Sequence, residues 1–380
     1  MRFGLYLLQP MNLRNFSHSN SKFGFNICKW CFWLLIWCEA PGLVAQEVKN
    51  DSIPEDQTLY LSALKQIDSA RYKEALVLLK QVVKKNPAHL DAWNKTAFVK
   101  IKLKDYKGAE KDLIKADQVS PMNFETCKLK GINFYLSGKY KEAKVELDTA
   151  LYITREEKID DAELHYYRAL LMFKGKSNKS ALEALESATE INPRYVEAHI
   201  LKGEIRIAMK DYNYAVKELS EAIRVMPETK TEYSAYKLRA KAYFELGDYK
   251  SAVKDWNVYI EAMTGTEEDL ISRGAAKINA GDNSGAIVDL DAAIKLNSKN
   301  PVSYCYRGVA KGENRMFNEG LKDLDYAIKL KFDYAAAYVN RAAIKMALKD
   351  KRGACEDLTK ADGLGDEMAL QLVERYCKQR

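Results

Sequence analysis

The chain has little proline, 8 residues in 380, and no run of five or more Lys/Arg. Scarce proline leaves helices uninterrupted, because a proline inside a helix removes a backbone donor and clashes with the preceding turn. A phosphate backbone finds no track here, since acidic and basic residues interleave, as in Lys102-Leu103-Lys104-Asp105. Histidine is scarcer still, at 4. No Gly-rich phosphate loop, Ser-x-Gly elbow or His-Glu-x-x-His motif occurs, and no His/Cys/Asp/Glu set has metal-ligand spacing. The expectation is a protein without nucleic-acid, small-molecule, cofactor or metal partners, and without catalysis.

Long apolar runs are also missing. The longest candidate, Trp30 to Cys38, has nine residues, whereas a membrane-spanning helix needs about 20. Arg2, Arg14, Lys22 and Lys29 precede it, and Pro41-Gly42-Leu43-Val44-Ala45-Gln46 follows. That order is similar to a secretory signal peptide. Residues 1–45 are therefore expected to direct export, with Met11 as an alternative start, cleavage after Ala45, and a short linker over 46–55. Export is expected to carry the chain out of the cytoplasm, touching the membrane only if the signal stays attached. Of the formal +7, this segment holds +3, and the remainder is 56 basic minus 52 acidic residues, or +4.

What is present is repetition. At 380 residues the chain exceeds the ~250 to 300 residues at which one hydrophobic core stops growing. Its period is 34: Tyr72/Ala75, Tyr106/Ala109, Tyr140/Ala143, Tyr212/Ala215 and Tyr249/Ala252 recur in one register, with Ala181, Ala286 and Ala354 in the alanine's place elsewhere. Nine units follow over 56–367: 56–89, 90–123, 124–161, 162–195, 196–232, 233–266, 267–300, 301–334 and 335–368. Residues 368–380 read as one further, capping helix with Leu370, Leu372, Val373 and Tyr376 apolar.

The commonest pattern within a unit is an aromatic or aliphatic residue at position 4, Gly or Ala at 8, Ala at 20, a large residue at 24, Ala at 27 and Pro at 32, the Pro being missing in several repeats; the second unit supplies Trp93, Ala97, Tyr106, Ala109, Leu113, Ala116 and Pro121. This pattern resembles the tetratricopeptide repeat (TPR). The resemblance implies an all-α, right-handed superhelical α-solenoid of about nine helix hairpins plus the cap. Small residues at 8, 20 and 27 would let helices approach, and large ones at 4, 17 and 24 would fill between them. Gly320 replaces the alanine of position 20, and Asn178 and Asn283 replace the tyrosine of position 17. Those repeats are expected to pack more loosely. The ending Gly353-Ala354-Cys355-Glu356-Asp357-Leu358, Ala361, Leu364-Gly365, Cys377 resembles that of TPR proteins exported by Bacteroidota, a resemblance that implies a periplasmic, outer-membrane-associated or extracellular protein of a Gram-negative bacterium.

Six units pair a cation at position 7 with an acid at 23: Lys130/Glu146, Lys202/Glu218, Arg239/Asp255, Arg273/Asp289, Arg307/Asp323 and Arg341/Asp357. An internal ladder of ion pairs is the reading. Beyond the export segment four cysteines remain, Cys127, Cys305, Cys355 and Cys377. Cys355 at position 21 of the last repeat and Cys377 at position 9 of the next unit fall on neighbouring helices, candidates for a disulfide or for two small buried thiols.

The TPR resemblance makes positions 2, 5, 9 and 12 of the first helices the concave lining. There stand Asn94, Phe98, Glu125, Lys128, Tyr135, Glu163, Tyr166, Phe173, Glu197, Glu204, Lys237 and Lys241. A face of tyrosines and carboxylates suits an extended or helical peptide with basic and apolar side chains. The Lys/Asn set with which some TPR domains grip a C-terminal carboxylate is not matched, Lys128 being followed by Ile132 and Lys237 by Lys241. The function expected is a non-catalytic scaffold for a protein or peptide partner; the alternative is a structural or assembly subunit of a cell-envelope complex.

Overall fold

The computed structural model describes residues 54–227 and 232–378. The expected export segment and the linker up to residue 53 lie outside the described residues. Helices come in pairs: α1 (Glu55–Asp68) with α2 (Tyr72–Lys85), α3 (Leu90–Lys102) with α4 (Tyr106–Val119), α5 (Phe124–Leu136) with α6 (Tyr140–Glu157). There follow α7 (Ala162–Lys174) with α8 (Asn178–Ile191), α9 (Val196–Ala208) with α10 (Tyr212–Val225), and α11 (Ser234–Glu245) with α12 (Tyr249–Met263). The remaining pairs are α13 (Glu267–Asn279) with α14 (Asn283–Leu296), α15 (Pro301–Glu313) with α16 (Phe317–Leu330), and α17 (Ala335–Ala347) with α18 (Lys351–Gly363). A last helix, α19 (Glu367–Leu372), runs on into a π-helical turn over Val373–Cys377. No strand occurs among the described residues.

Each hairpin turns on one residue in the left-handed conformation at position 15. It is Gly138, Gly247 or Gly281 in three repeats and Ala70, Lys104, Lys176, Lys210, Arg315 or Lys349 in the others. The next residue often starts the second helix: Asp105, Asp248, Asp282 and Asp350 each accept the backbone N–H three residues on, at 2.9 to 3.2 Å. Such caps satisfy donors that a helix start leaves unpaired. Every hairpin then packs on the next one. Successive first helices also touch, α3 on α5, α5 on α7, α7 on α9 and α9 on α11, and again α13 on α15 and α15 on α17. First helices thus form the inner layer of an α-solenoid.

The close spacing follows from the small residues. At position 8, a Cβ added to Gly131 would stand 2.6 Å from Leu147 at position 24, and Gly203, Gly274 and Gly308 meet Leu219, Leu290 and Leu324 in the same way. At Gly320 the structure differs from the looser packing expected. A Cβ there would lie 2.9 Å from the Gly308 carbonyl oxygen and 2.9 Å from Ile344 Cδ1. The missing methyl is filled by a neighbouring backbone and the next repeat's isoleucine, so no looseness is left at this position.

All six position-7/position-23 pairs meet in space. Arg239, Arg273, Arg307 and Arg341 each donate through Nε and Nη2 to Asp255, Asp289, Asp323 and Asp357, at 2.5 to 2.9 Å. Lys202 lies 3.0 Å from Glu218, and Lys130 lies 3.9 Å from Glu146. Two features extend the ladder beyond what pairing by sign suggests. The arginine Nη1 reaches back one repeat to Ser220, Asn257, Asp291 or Asp325, at 2.6 to 3.2 Å. A second cation at position 11 joins the aspartate, with Lys277, Lys311 and Lys345 at 2.7 to 2.9 Å. Each arginine rung therefore fastens two repeats; the four aspartates are buried, and Asp289, Asp323 and Asp357 have their charge met on two sides.

Candidate functional site

The inner layer presents position 5, 9 and 12 side chains of consecutive first helices side by side. On its N-terminal part runs a chain of aromatic rings. Tyr135 on α5 meets Tyr140 at 5.6 Å and Tyr167 at 5.9 Å between centroids; Tyr166 on α7 meets Tyr167 at 5.5 Å and Tyr195 at 5.2 Å. Burial pushes the Tyr167 phenol up to about 12 and raises Tyr166 and Tyr195 further. They stay neutral donors at any physiological pH. Glu163, Glu197 and Glu204 add their charges around these rings. Glu204 is exposed and has no ion-pair partner among the described residues, and partial loss of hydration against the inner wall raises its carboxyl above the ordinary glutamate value.

One turn further along α9 from Glu204, Ile207 begins an apolar pocket of about 330 Å³. Phe244 on α11, Ile271 and Ala275 on α13 and Tyr306 on α15 complete its walls, over the buried Trp256, with Lys241 and Glu245 beside them. Its size admits one large side chain or two small ones.

The residues expected on this face divide into two groups. Tyr135, Glu163, Tyr166, Glu197, Glu204 and Lys241 reach its surface at least in part. Phe98 is half-buried between the Lys95 and Lys102 ammonium groups, 5.8 and 5.0 Å from its ring, and Phe173 packs into the core formed with α8 and α9. Asn94 and Lys128 are instead buried, at 1% and 6% exposure. Both turn to the residue that caps the next repeat. Asn94 binds Thr126 Oγ1 at 3.0 Å and approaches Asn123, while Lys128 sits 2.9 Å from Glu125, 2.9 Å from Asp161 and 3.6 Å from Glu163. A polar end buried at position 5 must find a partner, and the seam between repeats supplies it. Lys237 does the same, 2.7 Å from the buried Asp269.

Sequence reasoning missed Tyr167, Tyr195, Ile207, Phe244, Ile271 and Tyr306. Ile207, Phe244 and Ile271 occupy lining positions 12, 12 and 5, but an aliphatic or aromatic residue there reads equally well as core. Tyr167 and Tyr306 share position 6, outside the lining set, and that recurrence was the available signal.

Cys355 and Cys377 are joined by a disulfide, with Cα atoms 5.7 Å apart, while Cys127 and Cys305 are free and buried. His199 bonds Glu218 and the Pro193 carbonyl, both at 3.1 Å, and no cluster of three His, Cys, Asp or Glu suited to a metal occurs among the described residues. Nor is any described helix long and apolar enough to cross a membrane.

A stack of two-helix hairpins with small residues at the crossing points and first helices innermost is the tetratricopeptide-repeat solenoid. No family model matches the chain. It is similar to DnaJ protein P58IPK homolog A of Oryza sativa subsp. japonica, 25% identical over 216 residues, which is 56% of this chain and 38% of that protein. Homolog B is 24% identical over 227 residues, so the chain spans about two fifths of the length of the curated relatives it matches, 38% and 41%. Among solved structures, the pilF protein of Pseudomonas aeruginosa aligns at TM-score 0.50 with 16% identity, over 56% of this chain and 94% of that one. A tetratricopeptide repeat protein from Parabacteroides merdae aligns at TM-score 0.38 with 18% identity, over 85% of this chain and 99% of the other. At 16% identity the likeness to the pilF protein is one of fold.

Proposed function

We propose that this protein is a non-catalytic interaction scaffold that holds an extended or helical peptide segment of a partner protein, rich in basic and apolar side chains, along the inner layer from α5 to α15. The observation that carries the reading is the apolar pocket at Ile207, Phe244, Ile271 and Tyr306, reached one helical turn from the unpaired carboxylate of Glu204. An apolar side chain would fill the pocket, and a lysine or arginine beside it would meet Glu204 and the faces of the neighbouring tyrosines. Residues elsewhere on the layer then set register rather than affinity.

A photo-crosslinking amino acid placed at Lys241 and, as an outer-face control, at Val288 tests this in the native cell. The Lys241 probe is expected to give discrete adducts that disappear with Phe244→Ala, while the Val288 probe gives none of them. Adducts from Val288 alone, or adducts indifferent to Phe244→Ala, would refute the inner-layer reading. We further propose that the protein is exported and cleaved after Ala45. N-terminal sequencing of the natively produced protein is expected to begin at Gln46, and a mature chain still containing Trp37 would replace export-and-release by anchoring.

A further inference from the structure

The ion-pair ladder has one incomplete rung. Seven repeats carry a cation at position 7, and in six an acid stands sixteen residues on; in the fourth repeat Arg168 finds Ala184 there. The consequence is visible in the geometry. Where later arginines hold a carboxylate through two nitrogens, Arg168 reaches only Asp148 of the preceding repeat, 3.6 Å away, and its Nε is buried with no hydrogen-bond partner. Asp148 is itself shared, lying 2.5 Å from Lys144. Two cations thus divide one carboxylate.

Beside this rung the structure opens. A cavity of about 370 Å³ lies between α6 and α7, lined by Lys144, Leu147, Asp148, Arg168, Leu171 and Met172 among others. Met172 stands at position 11, where Lys277, Lys311 and Lys345 supply the second cation of later rungs. The wall is therefore apolar on one side and carries a net positive charge on the other. The site uses positions 7, 10 and 11 of α7, apart from the 5, 9 and 12 positions of the inner layer, and it does not depend on the function proposed above.

We infer that this cavity binds a carboxylate carried on a short aliphatic body, the carboxylate giving Arg168 the acid its repeat lacks and the aliphatic part lying on Leu147, Leu171 and Met172. The repeats themselves show how strongly an arginine at this position takes a carboxylate, since four of them do so bidentately. The chain terminus of a peptide ending in an aliphatic residue and a free aliphatic acid share this chemistry.

Calorimetric titration of the full chain with hexanoate, with N-acetylglycyl-leucine and with its C-terminal amide tests the inference and separates the two sources. Saturable binding of at least one carboxylate is expected, with the amide weaker by ~10-fold or more, the loss of a charge-assisted contact. Tighter binding of the peptide names a chain terminus, and tighter binding of hexanoate a free acid. Ala184→Asp is the decisive variant, because it completes the rung from within; it should raise the melting temperature and weaken the carboxylate by the same ~10-fold or more. Lys144→Gln, at an exposed side chain that leaves the fold untouched, should weaken it more modestly. No saturable binding of either carboxylate, equal binding of the amide, or full binding by folded Ala184→Asp would each overturn the proposal.

Discussion

At the scale of single residues, the protein departs from its own consensus where the departure has a steric reason. Alanine occupies position 20 in eight repeats and has the better helix propensity, worth ~1 kcal/mol over glycine. Yet Gly320→Ala is expected to destabilise, by ~1 to 3 kcal/mol, because the new methyl meets the Gly308 carbonyl and Ile344. A urea titration of the variant checks this, and a gain in midpoint would mean that the propensity term wins. The ladder gives the opposite kind of test. Arg273→Ala leaves Asp289, 3% exposed, with Lys277 alone at 2.9 Å and Asn257 without its donor. A loss of ~1 to 3 kcal/mol is expected from the incompletely paired buried charge. Crosslinking through Lys241 should persist in the folded variant, since Arg273 lies off the inner layer.

At the scale of the hairpin, the left-handed residue at position 15 is obligatory and its chemistry is not. An L side chain in this conformation costs roughly 1 to 2 kcal/mol, whereas glycine adopts it freely but loses more entropy on folding. The two terms nearly offset, which is why three repeats use glycine while Lys210, with φ 60°, and five others do without. Lys210→Gly is accordingly expected to raise stability by at most ~1 kcal/mol. Thermal melting resolves that, and a clear drop would show that the lysine stem contributes packing which outweighs its backbone cost.

At the scale of the molecule, each hairpin is held by its neighbours, so the ends are weakest. The Cys355–Cys377 disulfide closes a separation of 22 residues at one of those ends, a link worth roughly 3 kcal/mol by restriction of the unfolded chain. Hydrogen exchange read by mass spectrometry is expected to show α17, α18 and α19 losing protection on reduction while α9 to α15 keep theirs. Uniform loss would make the solenoid one cooperative unit, and no change would leave the bond without a structural part. Sequence alone carried the architecture, because small and large residues recurring every 34 positions allow only one way of burying both faces of a hairpin. It also carried the ladder, whose opposite signs sixteen residues apart fall on the two facing helices of each of these hairpins. The inner face was legible only in part: tyrosine and glutamate at lining positions advertise themselves, whereas Ile207, Phe244 and Ile271 look like core until neighbouring helices leave a space between them. Asn94 and Lys128 show the converse, lining positions whose polar ends turn into the seam because the next repeat's cap stands within reach. Only the stacking of repeats decides such cases, since periodicity states which way a side chain leaves its own helix and says nothing of what the neighbouring helix places in front of it.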